Sequence, residues 1–270
     1  DTYFDNRALS QEELDFARQI VDFSSFKVSK DTGYEEEGYG SLVLSYLFTF
    51  LLYMSLLFMG QIIMQSVIEE KTSRIVEVIL SSVSPKELMT GKVLGSAITG
   101  VLQMVIWLTP VMFVISTTYF ALPPEITFSI TMGQIVYLLI NFFFGLLIFL
   151  GLFAVVGSIF DNPQDAQSGL WPVMVLIIIP FFIAISLIEN PNSGYADIAS
   201  MAPLSNIIVM PAKMTMVDVP VWKLVSTVLV NIATLFVIFP IAGKIYRVGI
   251  LITGKKPKWS EVIRWLKYKY

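Results

Sequence analysis

Cysteine and histidine are both absent from the 270-residue sequence. Without cysteine the chain has no disulfides, no thiolate nucleophiles and no thiolate ligands for zinc. Without histidine it lacks the side chain that most often acts as a general base near neutral pH, which is also the commonest metal ligand. We therefore expect no catalytic residue, metal or cofactor on this chain, and no enzymatic activity of its own.

Charged residues are also scarce. They make up 14% of the sequence, against 55% hydrophobic residues, whereas about 25% of a soluble domain is charged. This composition predicts an integral membrane protein. A net charge of -3 gives no indication of a nucleic-acid partner.

Apolar stretches long enough to cross a bilayer as a helix, which takes about 20 residues, recur along the chain. Five of them lie at about 42–65, 93–117, 135–160, 170–188 and 221–241. The predicted fold is an all-α integral membrane protein, a helical bundle with these spans. Their central parts contain no Asp, Glu, Lys, Arg or His. That absence argues against proton-coupled transport, because intramembrane charges are costly and mark such pathways.

The distribution of basic residues predicts the orientation. The loop 66–92 contains four lysines and arginines, and the region after the last span contains eight of the chain's eighteen. Basic flanks are retained in the cytoplasm, so both regions are expected on the cytoplasmic side of a plasma or inner membrane.

The expected domains follow from this orientation. Residues 1–40 carry ten acids and four bases, and we predict that they end an extracytoplasmic domain. We expect residues 41–245 to form a transmembrane domain and 246–270 a basic cytoplasmic tail. An outside start predicts one further span before Asp1, six in the intact protein. Within 189–219, prolines in a moderately apolar segment predict an outer re-entrant hairpin.

Residues 249–255 match the phosphate-loop pattern G-x-x-x-x-G-K. The next position needs Ser or Thr to bind magnesium, but it is Lys256, and the motif follows a span rather than a strand. A basic flank of the last span is therefore the better interpretation.

The loop 66–92 is the most informative segment. Glu70 and Arg74 are four residues apart, the favourable order for a helical ion pair, and apolar residues between 75 and 80 form one face. Ser84, Pro85 and Glu87 form a capping pattern that predicts a helix running into the second span. From these residues alone, the loop helix either contacts a cytoplasmic partner or rests in the lipid headgroups.

Segments E-E-K-T (69–72), R-I-V-E-V-I-L-S-S (74–82), S-P (84–85) and G-K (91–92) resemble the cytoplasmic-loop signature of type-2 ABC exporter permeases, most closely the sodium-extrusion branch. Residues 202–211 and 246–257 are also similar, so the resemblance covers roughly 42–260. It implies a permease paired with a second copy, as a homodimer or heterodimer, and with an ABC ATPase subunit that carries ATP and Mg. The resemblance leaves the cargo open among an ion, a drug, a peptide and a lipid.

In that family the loop helix docks into the ATPase subunit. The residues that the resemblance assigns to this contact are Glu70, Lys71, Arg74, Ile75, Glu77 and Val78. A non-transporting regulatory membrane anchor and an intramembrane enzyme are the alternative functions.

Three further patterns each allow two interpretations. The turn 161–165 is either a second partner contact or a capped helix boundary, and 259–270 is either a surface helix or an ordinary basic tail. Small residues allow close helix approach in a dimer or within the bundle. They are Gly91, Gly95, Gly145, Gly151 and Gly157.

Overall fold

A computed structural model of the protein describes residues 26–29, 33–36, 40–116, 130–187, 190–254, 257 and 259–267. The chain divides into two units, Asp1–Gly38 and Tyr39–Tyr270. In the first unit, strands β1 (Phe26–Ser29) and β2 (Gly33–Glu36) pair antiparallel, with Phe26 opposite Glu36. Apolar and polar residues alternate in β1, which is the period of a strand. The rest of the predicted extracytoplasmic segment lies outside the described residues.

The second unit is helical, which confirms the predicted fold class for the membrane part. Its helices are α1 (Gly40–Thr72), α2 (Ile75–Ile79), α3 (Pro85–Ser116), α4 (Met132–Ile159), α5 (Pro163–Gly169), α6 (Trp171–Ser186), α7 (Gly194–Met201), α8 (Asn206–Met216), α9 (Val221–Gly249) and α10 (Trp259–Trp265).

Helices α1, α3, α4 and α9 are each long and apolar enough to cross a membrane. The fourth predicted span, 170–188, corresponds to α6, and the short helix α5 precedes it and meets it at an angle of 54°. Pro172 explains the break, because its ring has no N–H to donate and collides with the carbonyl four residues earlier. The described residues therefore contain four spans, or five if the bent pair crosses as one.

Helix α4 lies at the centre of the bundle and packs against α1, α3 and α9. Its backbone comes very close to α1: a Cβ added at Gly157 would lie 2.7 Å from the carbonyl oxygen of Met64. In the middle of α4, Gly145 leaves room for Ile207 of α8. Both glycines therefore serve packing within one chain. Gly91 and Gly95, in contrast, have no atom within 4 Å of an added Cβ.

Helices α7 and α8 form a hairpin within 189–219, and every residue of α8 is buried. The hairpin turns through Leu204, which has a φ of 68°. Asn206, at the start of α8, meets Asn141 of α4, whereas Met214 near its end meets Gln134. Asn141 is nine residues into α4, or about 14 Å along it at 1.5 Å per residue. The hairpin therefore inserts well into the bundle.

Candidate functional site

The candidate contact residues lie where α1 gives way to α2. Helix α1 continues to Thr72, and Arg74 then adopts a left-handed conformation with a φ of 57°. The predicted helical ion pair between Glu70 and Arg74 is therefore wrong, because the helix ends between the two residues. Glu70 instead pairs with Lys92 of α3 at 2.6 Å, and Lys92 also donates to the Ser66 hydroxyl at 2.7 Å.

This pairing joins the two helices on either side of the loop. At its far end, the predicted capping box is confirmed: the Ser84 amide donates to the Glu87 carboxylate at 2.8 Å, and the Glu87 amide donates to the Ser84 hydroxyl at 3.3 Å. Helix α3 starts there and continues into the second span. The loop between Thr72 and Pro85 is thus fixed at both ends.

Helix α2 presents one residue inward and most of the others outward. Val76 is buried against the bundle with 3% of its surface exposed. Ile75 and Val78 are 51% and 72% exposed, and Arg74 and Glu77 are exposed as well. Four of the six candidate residues therefore share an accessible face that mixes two aliphatic side chains with two opposite charges.

Lys71 is a correction to the predicted contact set. Its side chain has 0% exposure and points into the bundle, with Nζ 2.7 Å from the carbonyl oxygen of Ser158 and 2.8 Å from Oδ1 of Asp161. Because an ammonium group buried in this way is held by its internal partners, Lys71 is not available to a docking protein. Its role is internal to the permease.

Asp161 extends this ion pair to a third segment. Its other carboxylate oxygen accepts a hydrogen bond from the amide of Gly254 at 2.5 Å. Nearby, a Cβ on Gly249 would lie 2.7 Å from the Ser158 hydroxyl. The two glycines of the phosphate-loop-like pattern therefore have structural explanations, one in close packing at the end of α9 and one in a positive φ of 75°.

The ion pair brings together the ends of α1, α4 and α9. The loop 66–92 and the start of the tail consequently share one end of the bundle, as the charge pattern predicted. Sequence reasoning missed Asp161 as Lys71's partner, because an acid directly after an apolar span marks a charge at the end of the bundle but does not identify the residue with which it pairs. The interpretation of 161–165 as a capped helix boundary is confirmed, since Asn162 accepts from the Asp165 amide at 2.8 Å and Pro163 is the first residue of α5.

A second charged cluster ties the hairpin to α9. Asp197 of α7 accepts from Lys213 of α8 at 2.6 Å and from Lys223 of α9 at 3.0 Å. The hydrogen bonds from Lys213 and Lys223 lower the pKa of the Asp197 carboxyl below its ordinary value. Asp197 is thus the acceptor that holds two helices to α7.

A buried amide pair connects α4 and α9 at the level where the hairpin turns. Asn231 donates to the side-chain oxygen of Asn141 at 2.8 Å, and both residues are fully buried. Among the residues that the structure describes, no cluster of acidic side chains could hold a metal ion. The two ion-pair clusters and the amide pair each connect neighbouring helices of the bundle.

Comparison with known proteins gives the family. Residues 4–244 match the family of ABC-2 family transporter proteins. An uncharacterized protein of Methanocaldococcus jannaschii is 31% identical over 241 residues, which is 88% of this chain and 57% of that protein. The uncharacterized protein YhaP of Bacillus subtilis is 26% identical over 243 residues, 87% of this chain and 58% of that protein.

The chain thus spans less than two thirds of the length of these curated relatives. No solved structure matches it. Because the family match extends over most of the sequence, the chain belongs to the ABC-2 family of transporter proteins, as a multi-pass membrane permease.

Proposed function

We propose that this chain is the membrane-spanning permease subunit of an ATP-driven exporter whose ATP and magnesium are bound by a separate ATPase subunit. The observation that supports this proposal most directly is the exposed face of α2. Ile75 and Val78 are large aliphatic residues left outside the bundle, next to Arg74 and Glu77. A mixed apolar and charged face of this kind is suited to a protein partner.

The contacts of the loop connect α2 to the long helices, so that a displacement of α2 is transmitted to them. Val76 seats α2 on the bundle, and the pair Glu70–Lys92 links α1 to α3 beneath it. The pair Lys71–Asp161 continues the connection to α4 and, through Gly254, to the segment after α9. Movement of the ATPase against α2 would therefore reach all four long spans. A second permease copy would complete the transport pathway.

The test is to purify the intact protein from its native membranes and to ask whether an ATP-hydrolysing subunit accompanies it. Arg74→Glu is expected to remove that subunit while the permease still folds, at a cost of about 2–5 kcal/mol if Arg74 forms a desolvated pair in the complex. Lys267→Glu, the same reversal at an exposed position on the same chain, is the matched control and should retain it.

The alternatives predict other results. A regulatory anchor predicts that Arg74→Glu leaves transport unchanged, and an intramembrane enzyme predicts that the permease alone processes a substrate.

For cargo, Na⁺ is the first candidate to test, because the loop signature most resembles the sodium-extrusion branch. Drugs, peptides and lipids are the cargo candidates to test after Na⁺.

A further inference from the structure

An open groove of about 330 Å³ lies between α3, α4 and α9, on the outside of the bundle. Its walls are mainly aliphatic and aromatic. The lining residues are Leu94, Leu147, Leu235, Phe236, Phe239 and Pro240, with Thr90 and Lys86 at one end. This groove is separate from α2 and from the buried ion pair of Lys71.

Both outer helices become basic toward the same end of the groove. On α3, Lys86, Thr90 and Leu94 are spaced by four residues and therefore share one face. On α9, which runs the opposite way, Lys244 follows Phe236 and Pro240 at the same spacing. The two lysines lie at similar depth, because a Cβ on Gly243 would be 3.8 Å from Cγ of Lys86.

Both lysines are exposed, and neither belongs to any of the ion pairs within the described parts of the chain. Two unpaired ammonium groups thus lie at one end of the apolar groove, the end of the bundle that carries the loop 66–92. Basic residues at the end of a membrane helix attract anionic headgroups, and pockets of this type between helices bind them.

We propose that this groove binds an anionic phospholipid, with an acyl chain between α3 and α9 and the phosphate at Lys86 and Lys244. The apolar walls select an acyl chain over a free phosphate. The two positive charges select an anionic headgroup over a zwitterionic one. The site is independent of the proposed ATPase contact.

The test places the full-length protein in bilayer discs of phosphatidylcholine and phosphatidylglycerol, transfers it to mild detergent and counts retained lipid by native mass spectrometry. Wild type should retain phosphatidylglycerol in preference to phosphatidylcholine. Lys86→Gln and Lys244→Gln should each reduce that preference about fivefold, the effect of one basic residue near an anionic surface. Lys86→Arg should restore it, which separates charge from folding.

Two further variants complete the design. Leu147→Trp, which narrows the groove from α4, should reduce retention of both lipids, and Arg74→Gln, a charge lost elsewhere at the same end, should change neither. Equal retention of the two lipids by wild type would overturn the proposal, as would an equal effect of Arg74→Gln. So would a groove with no retained lipid, the result expected if a second copy of the chain covers it.

Discussion

Lys71 shows how one long side chain can hold a bundle end together. It leaves α1 at its last turn, enters the interior and reaches both the carbonyl of Ser158 and the carboxylate of Asp161. Burying an ammonium group is costly, and here that cost is offset by two polar partners. The two members of the pair are not equivalent: Asp161 keeps 28% of its side chain exposed, whereas Lys71 keeps none.

This asymmetry predicts unequal effects of mutation. Asp161→Asn leaves an uncompensated buried charge and should lower stability by about 3–5 kcal/mol. Lys71→Met keeps the length and apolar stem, and Asp161 can then be hydrated, so the loss should be smaller. Thermal unfolding of the two purified variants in the same detergent measures the difference. An equal loss in both would contradict the assignment of Lys71 as the buried member.

The lowered pKa of Asp197 predicts that the stability of the protein depends on pH. Its pKa is lowered in the folded protein by its hydrogen bonds to Lys213 and Lys223. The stabilisation is therefore fully present above the unfolded pKa of about 3.9 and is lost as pH falls through the lower folded value. Wild type should lose stability more steeply below about pH 4 than Asp197→Asn. Parallel curves of unfolding temperature against pH would show that the cluster contributes nothing.

At the scale of helices, the contact between α1 and α4 depends on Gly157. A Cβ there would lie 2.7 Å from a backbone carbonyl, which cannot move without shifting α1. Gly157→Ala should therefore destabilise the protein by about 1–3 kcal/mol. Gly95→Ala is the matched control, since an added Cβ there meets open space and alanine favours helix by up to about 1 kcal/mol. Unfolding temperatures of the two variants should move in opposite directions.

Helix α2 predicts a separation between stability and partner binding. Val76→Ala removes a buried contact and should loosen the loop, measured as faster amide hydrogen exchange over 73–83. Val78→Ala removes an exposed side chain and should leave exchange unchanged in the isolated permease. Faster exchange in both variants would mean that α2 is not seated through Val76 alone.

Much of the helical layout could be predicted from the sequence, because apolar length and capping are local signals. The span positions, the start of α3 at Ser84 and Pro85, and the shared end of the loop and tail all followed from such signals. The end of α1 could not be predicted, because nothing in the sequence around Arg74 indicates a left-handed backbone conformation at that residue. The pairs Lys71–Asp161 and Glu70–Lys92 also could not be predicted, since they join residues far apart in sequence whose proximity depends on helix packing.

The bend before the fourth span was likewise missed. Residues 170–188 match α6, but α5 precedes it at an angle of 54°, a direction that apolar composition does not indicate. For the candidate site, the sequence did not show which way each side chain points. Adjacent residues on a helix point in different directions, and only the packed structure shows that Lys71 faces inward while Ile75 and Val78 face outward.

On the scale of the whole helical unit, the helices form a bundle centred on α4, with a charged cluster toward each end. At one end Lys71 and Asp161 connect the loop, the turn after α4 and the segment after α9. Toward the other, Asp197 connects α7, α8 and α9. Such a body can move as a unit when α2 is displaced, which is the behaviour that the proposed coupling requires.

The central claim is that the outer face of α2 contacts an ATP-hydrolysing subunit. The most direct test places a photo-crosslinking amino acid at position 78 or at position 76 of the full-length protein in its native membrane. We predict a crosslink from position 78, but not from the buried position 76, to a protein that mass spectrometry identifies as an ATPase. Crosslinks from neither position, or from position 78 to lipid alone, would contradict the account.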